Sequence, residues 1–155
     1  MSRVLESYFE RQAMVSTKEF LKIVENANRW KHDINYSVNP LKYEVTDDCG
    51  GMYTCEPYKT KLLKLWRFST PAASKESSKS IKGMFFDYLN EGDFVGADLA
   101  LKYLRAGSIR DAIPKKSKKY FKLAYKEIKD NIKYFSLRKE FEKRKNQEQE
   151  RYGER

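Results

Sequence analysis

Residues 115–133, KKSKKYFKLAYKEIKDNIK, form the strongest structural pattern in the chain. Their lysines recur mostly every three or four residues, at Lys115, Lys118, Lys119, Lys122, Lys126, Lys129 and Lys133. At about 100° of rotation per residue, these lysines fall on one face of a helix. A neighbouring apolar stripe consists of Phe121, Tyr125, Ile128, Ile132 and Phe135. The stretch therefore predicts one long helix that packs on a core and exposes a row of ammonium groups.

The positive charge of the whole chain is concentrated in its last third. The protein contains 32 Lys and Arg against 22 Asp and Glu, a net charge of +10. Residues 101–155 hold 18 of the basic and 8 of the acidic residues, which accounts for the entire excess. This asymmetry favours a polyanion as partner, either DNA, RNA or an acidic protein surface.

Length and composition predict one globular domain. With 155 residues, 40% of them hydrophobic, the chain can bury one core of ordinary size. There is no run of 18 apolar residues and no signal-peptide pattern at the N-terminus. We therefore expect a soluble, cytoplasmic protein without a membrane partner, while its oligomeric state stays open. Residues 1–135 are expected to form the domain, and residues 136–155 a charged helix or a disordered tail.

The periodicity along the chain predicts a mostly α-helical (α+β) fold with one small β-hairpin. Amphipathic spacing predicts helices over residues 3–14 and 16–28. Residues 30–58 instead alternate aromatic and β-branched residues with polar ones around Gly50-Gly51, which is typical of a hairpin.

Helix-capping residues divide the following part of the chain. The pair Thr70-Pro71 predicts the start of a helix that ends near Gly92. Asp93 predicts the cap of the next helix, with Gly107 as its stop. A capping-box pattern over residues 108–111 predicts a further helix start.

Residue types that commonly bind metals or activate nucleophiles are scarce. Cys49 and Cys55 are expected to be reduced thiols, and His32 is the only histidine, so a structural zinc site lacks ligands. The chain contains no phosphate-binding glycine loop and no zinc-protease or serine-hydrolase motif. We therefore predict no cofactor, no metal and no enzymatic activity.

Carboxylates leave one enzymatic alternative open. Four acids around Gly92, together with one acid and one lysine earlier in the chain, could hold Mg²⁺ for phosphodiester chemistry. These residues are Asp87, Glu91, Asp93 and Asp98, together with Glu56 and Lys59. Local roles explain them more simply, because Asp93 can cap a helix and Asp98 can pair with Lys102 four residues later.

Several motifs in the middle of the chain resemble a known family. They are Glu56-Pro57-Tyr58-Lys59, Trp66-Arg67-Phe68-Ser69-Thr70-Pro71, Glu76-Ser77-Ser78, Gly92-Asp93-Phe94-Val95-Gly96-Ala97-Asp98 and Gly107. The chain thereby resembles, over residues 51–107, uncharacterised small proteins of tailed phages and bacteria, catalogued as a domain of unknown function. The resemblance implies a phage or bacterial origin, the host cytoplasm as location for a phage protein, and no established activity. A site shared by the family would use Glu56, Tyr58, Lys59, Trp66, Arg67, Asp93 and Asp98.

Together these patterns predict a non-catalytic accessory protein that binds DNA or RNA. Repulsion between lysines four residues apart costs helix stability, and a bound polyanion would reverse it. The predicted contacts are Arg105, Arg110, Lys115, Lys116, Lys118, Lys119, Lys122, Lys126, Lys129 and Lys133. Trp66, Arg67 or Tyr120 could stack on a base. Two alternatives stay open: a module that inhibits or redirects an acidic host protein through the same lysines, and a metal-dependent enzyme acting on nucleic acid.

Overall fold

Helices account for all the regular structure of the described part of the chain. The computed structural model describes Leu21 and residues 29–153. Within this part there are five α-helices: α1 Tyr58–Leu65, α2 Pro71–Asn90, α3 Phe94–Ile109, α4 Lys115–Ile128 and α5 Ile132–Gly153. The helices predicted over residues 3–14 and 16–28 lie outside the described residues, apart from Leu21, which is helical. None of the described helices is long and apolar enough to cross a membrane.

Helices α2, α3 and α4 pack against one another and form the centre of the fold. Their short links, residues 91–93 and 110–114, keep successive helices next to each other in the fold. Helix α1 packs on α2 and α3, and α5 packs on α3 and on the 3₁₀ turn Pro40–Lys42. The core lies between these helices and the irregular segment that precedes α1.

The predicted caps of α2 and α3 are confirmed. The Thr70 hydroxyl oxygen accepts a hydrogen bond from the Ala73 N–H (3.0 Å), with Pro71 as the first helical residue. The Asp93 carboxylate accepts one from the Gly96 N–H (3.0 Å). Between the two helices the chain turns at a residue with φ +73°, a conformation that only glycine adopts without strain, and this residue is Gly92.

The hairpin predicted over residues 30–58 is wrong, because this segment contains no strand, and the described fold is all-α. Its only ladder contact is an isolated parallel bridge between Asn35 and Glu56. The Asn35 carboxamide oxygen accepts hydrogen bonds from the N–H groups of Ser37 and Val38 (2.9 and 3.1 Å), which a partner strand would otherwise bind. Four large residues of the alternating pattern are instead buried in the core, namely Tyr36, Tyr43, Met52 and Cys55, whereas Val38 and Tyr53 are exposed.

The predicted boundary between α3 and α4 is also wrong. Gly107 does not stop α3 but lies inside it, where a Cβ would come within 2.4 Å of the Phe121 ring on α4. Ser108 is helical too, and its hydroxyl donates to the Arg105 carbonyl (2.6 Å) instead of capping a new helix. Here glycine permits a close approach of two helices, a role that a sequence signal for a helix stop cannot reveal.

The single long helix predicted over residues 115–133 is interrupted. The Asn131 carboxamide oxygen accepts a hydrogen bond from the Tyr134 N–H (2.9 Å), so Asn131 caps α5 instead of continuing α4. The link shifts the phase of the following residues. Ile132 and Phe135, predicted to be buried, are 86% and 47% exposed, and Tyr134 occupies the core position.

Helix α5 extends across the predicted domain boundary at residue 135. Phe141 is buried, and the Lys145 ammonium donates to the Tyr43 carbonyl (2.5 Å) and pairs with Glu44 (3.1 Å). The middle of α5 thus packs on the rest of the fold.

Two glycine substitutions should have opposite effects on stability. A Cβ at Gly96 would lie 2.6 Å from the Tyr88 ring and 2.9 Å from the Tyr58 ring, so Gly96→Ala should lower the free energy of unfolding by about 1–3 kcal/mol. Gly83→Ala, inside α2 with no atom within 4 Å of its Cβ, should raise it by about 0.5–1 kcal/mol. Urea unfolding measures both, and an equal effect of the two variants would contradict the packing described here.

Candidate functional site

Helix α4 presents a surface of lysines on the side away from the core. Its buried residues are Ser117, Phe121, Ala124 and Ile128. Its lysines are exposed, with Lys118 half-buried; they are Lys115, Lys116, Lys118, Lys119, Lys122 and Lys126, hereafter the α4 lysine surface. Among the described residues, no carboxylate lies within 4.0 Å of any of these six ammonium groups. The one acid of α4, Glu127, pairs with Lys82 of α2 (2.6 Å).

Two of the seven predicted row members lie beyond α4. Lys129 belongs to the link, where it approaches Asp130 at 4.0 Å, and Lys133 lies on α5. Because the link redirects the chain, the predicted continuous row of seven lysines is shortened to the part on α4.

Arg105 and Arg110, predicted to contact nucleic acid, instead bind the irregular segment of their own chain. The Arg105 guanidinium donates to the Asp47 carbonyl. Arg110 lies over the rings of Tyr53 and Trp66, 5.2 and 5.5 Å from their centres. Both arginines are half-buried, so they contribute little to an exposed basic surface.

One residue of the family-like motifs, Asp98, belongs to a buried ion pair. Asp98 and Lys102, each 4% exposed, form the predicted pair on α3, with 3.6 Å between carboxylate and ammonium. The two Asp98 oxygens accept hydrogen bonds from the hydroxyls of Tyr43 and Tyr134 (2.5 Å for Tyr134). The carboxylate is thus held by three different parts of the chain.

Lys102 is equally enclosed. Its ammonium donates to the Thr46 hydroxyl (3.0 Å) and to the Gly50 carbonyl (2.8 Å). It also lies 5.3 Å from the Trp30 ring centre and 5.1 Å from that of Tyr43, within the range of cation–π attraction. The Lys102 ammonium and both Asp98 oxygens are therefore engaged by protein groups.

Burial fixes the protonation of the groups around the ion pair. It raises the pKa of Tyr43 and of Tyr134 well above the usual value, and the nearby Asp98 charge acts in the same direction. Both hydroxyls therefore remain donors. Burial also raises the pKa of the Cys55 thiol to about 12 and raises that of Cys49. The two free thiols are thus poor nucleophiles.

The other family-like residues also have structural roles. Asp93, which caps α3, uses its second carboxylate oxygen to accept from the Tyr58 hydroxyl (2.6 Å). Trp66 is a core residue, 9% exposed, and the Arg67 N–H donates to the Ser77 hydroxyl (3.0 Å). Glu56 accepts from the Thr60 hydroxyl. The backbone N–H of Lys59 donates to the Cys55 carbonyl (2.8 Å) in the first turn of α1.

The acids considered for Mg²⁺ are separated by these roles. Both oxygens of Asp93 accept hydrogen bonds, one from the Tyr58 hydroxyl and one from the Gly96 N–H. Both oxygens of Asp98 accept from tyrosine hydroxyls elsewhere in the fold. Within the described part of the chain, no group of three His, Cys, Asp or Glu side chains is arranged to hold a metal ion. The geometry thus favours a structural role for Asp93 and Asp98 over metal binding.

A groove of about 1060 Å³ lies between α5, the Pro40–Lys42 turn and the start of α3. Sequence reasoning missed it, since its walls come from three distant segments. Two of its basic residues, Arg144 and Lys145, pair with Glu140 (3.5 Å) and Glu44 (3.1 Å). The groove lining contains more acidic than basic residues, so it lacks the excess of positive charge that distinguishes the α4 lysine surface.

Comparison with known proteins identifies the family. The model of a domain of unknown function, DUF4385, matches residues 26–122. The chain belongs to this family. No curated protein and no solved structure matches it significantly. The family region extends beyond the predicted residues 51–107 on both sides, so it covers the buried ion pair, its partners Trp30 and Tyr43, and the first half of α4.

Removal of the Asp98 carboxylate should unfold much of the structure. Asp98→Ala leaves Lys102 buried without a counter-charge and two tyrosine hydroxyls without an acceptor. We expect a loss of about 3–5 kcal/mol in the free energy of unfolding, measured with urea. Asp87→Ala, which removes an exposed carboxylate from α2, should change it by less than about 0.5 kcal/mol. Similar values for the two variants would contradict the role of the ion pair.

Reversal of one lysine should stabilise α4. Lys122 is four residues from both Lys118 and Lys126, so Lys122→Glu turns two repulsive pairs into attractive ones. The thermal midpoint should rise, by an amount equivalent to about 0.5–1 kcal/mol at low salt, and the gain should shrink as salt is added. Lys31→Glu, in the irregular segment, should leave the midpoint nearly unchanged. A midpoint lowered by Lys122→Glu would show that Lys122 has a favourable contact in the folded chain.

Proposed function

We propose that this protein is a non-catalytic, cytoplasmic accessory protein of a phage or a bacterium that binds nucleic acid through the α4 lysine surface. The observation that carries the proposal is the set of six α4 lysines without a carboxylate neighbour among the described residues. Lysine ammonium groups bind phosphate as mobile point charges, which gives affinity without base recognition.

The charge distribution along α4 supports a bound anion. The first turn of α4 contains no acidic residue and its N-cap residue, Pro114, offers no side-chain acceptor. Lysines near the positive end of the helix dipole oppose it, and lysines four residues apart repel each other. Phosphate groups on this surface would relieve both effects. An ordinary solvated helix surface usually mixes acids among its lysines, which α4 does not.

Titration across salt concentrations provides the test. For six lysine–phosphate contacts, the logarithm of the binding constant should fall against the logarithm of salt with a slope of about −4 to −5. The variant Lys119→Glu/Lys122→Glu/Lys126→Glu should bind at least about tenfold more weakly, and its slope should be smaller in magnitude by two or more. Fluorescence anisotropy with labelled oligonucleotides measures both quantities.

A matched control separates local from overall charge. The variant Lys31→Glu/Lys61→Glu/Lys64→Glu changes the net charge by the same amount at exposed positions outside α4. It should retain most of the affinity. Equal losses in the two triple variants would show that net charge, and not the α4 lysine surface, governs binding.

The same lysines could instead bind an acidic host protein, as the sequence also allows. In that case nucleic acids would bind weakly at physiological salt, and the α4 triple variant would lose affinity for that protein alone. Absence of any salt-dependent binding to single or double strands would contradict the nucleic-acid proposal.

A further inference from the structure

A row of aromatic rings lies where the α4 lysine surface ends. Phe86 and Phe85 on α2 have ring centres 5.4 Å apart, Phe85 and Tyr134 are 6.0 Å apart, and Tyr134 and Phe135 are 5.4 Å apart. The two inner rings are buried, whereas Phe86 and Phe135 are 40% and 47% exposed. The row thus has an exposed phenyl ring at each end and a rigid centre.

Contacts between helices place this row near the C-terminal end of α4. Lys82 on α2 pairs with Glu127 near the end of α4 (2.6 Å), so the two helices lie side by side at this level. Phe86 comes one helical turn after Lys82. Asn131 lies in the link that follows α4, and Phe135 comes one helical turn later, on α5. Ile132, the first residue of α5, is 86% exposed. Phe86 is thus connected to the end of α4 through the Lys82–Glu127 pair, and Phe135 through the short link that follows α4.

This combination distinguishes between classes of polyanion. A double helix offers phosphates, but its bases are already stacked and paired, so exposed phenyl rings have nothing to stack on. A single strand offers both a phosphate backbone and unpaired bases with apolar faces. Basic surfaces interleaved with aromatic rings are the general means of binding such strands without sequence preference.

We infer, on the basis of the proposed function, that the ligand is single-stranded nucleic acid. Its phosphates contact the α4 lysine surface and its bases stack on Phe86 and Phe135. The rings act as sequence-tolerant platforms, because every base has a π-face.

The inference is tested by comparing strand types with the full chain. An oligothymidine of about 20 nucleotides should bind at least about tenfold more tightly than a duplex of about 20 base pairs at the same salt. The variant Phe86→Ala/Phe135→Ala should bind the oligothymidine at least about tenfold more weakly, with an unchanged salt slope and unchanged duplex affinity. Circular dichroism and the thermal midpoint check that this variant remains folded.

A control variant removes exposed apolar side chains elsewhere. Val38→Ala/Leu63→Ala lies outside α2, α4 and α5 and should leave both affinities unchanged. If the phenylalanine variant fails to fold, Phe86→Leu/Phe135→Leu, which keeps apolar side chains but removes the π-faces, should show the same selective loss of oligothymidine affinity.

The outcomes separate this inference from the proposed function. Equal affinity for single strand and duplex, or full affinity in a folded phenylalanine variant, overturns the single-strand assignment. The proposed function then stands if the α4 triple variant still loses binding. Displacement of the oligothymidine by polyglutamate at equal charge concentration also overturns stacking, and it favours an acidic protein. Absence of binding to both nucleic acids overturns the inference and the proposed function together.

Discussion

The structure depends on one buried ion pair, Asp98 with Lys102. A charge removed from water is costly unless its partners are complete, and here each charge has several. Asp98 binds the hydroxyl groups of Tyr43 and Tyr134, and Lys102 binds the loop at Gly50. The ion pair on α3 therefore connects α5 with the irregular segment that precedes α1. Its hydrogen bonds are directional, so they position these two elements more specifically than hydrophobic contacts alone would. Such a network gives a defined arrangement to residues 30–57, which contain no strand and no α-helix but one 3₁₀ turn, Pro40–Lys42.

This arrangement changes the interpretation of the family-like motifs. Their acids resemble a catalytic cluster in the sequence, yet in the structure Asp93 caps α3 and Asp98 completes the ion pair. Gly96 is needed because Tyr58 and Tyr88 occupy the space of a Cβ. The match to the domain of unknown function includes these residues and extends to residue 122, inside α4. The matched region thus covers the ion pair and the part of α4 up to Lys122, whereas Lys126 lies beyond it.

The buried ion pair and the α4 lysine surface differ in whether their charges have partners within the described part of the protein. Inside, the ion pair is satisfied by hydrogen bonds and aromatic rings, so it contributes to a unique fold. On α4, the lysines have no compensating carboxylates among the described residues, so part of their repulsion persists in the free protein. Uncompensated charge on a helix anchored by Phe121 and Ile128 is available to a partner without any rearrangement of the core. A rigid helix with mobile lysine side chains suits the binding of phosphates in variable positions.

Local sequence signals were sufficient to predict those helices whose ends carry strong capping residues. Thr70, Pro71, Gly92 and Asp93 act within one turn of the backbone, so α2 and the start of α3 were predicted correctly. The sequence also determined the charge imbalance and the lysine periodicity of α4. Contacts between residues far apart in the chain were not predictable from local patterns and became visible only in the folded structure. Tyr43 lies 55 positions from Asp98, so no local pattern reveals their contact. Likewise, Tyr36 and Tyr43 of the irregular segment, which alternate with polar residues, are buried in the core and form no strand. The interruption at Asn131 begins a new helix, in which Tyr134 packs in the core and Phe135 is exposed.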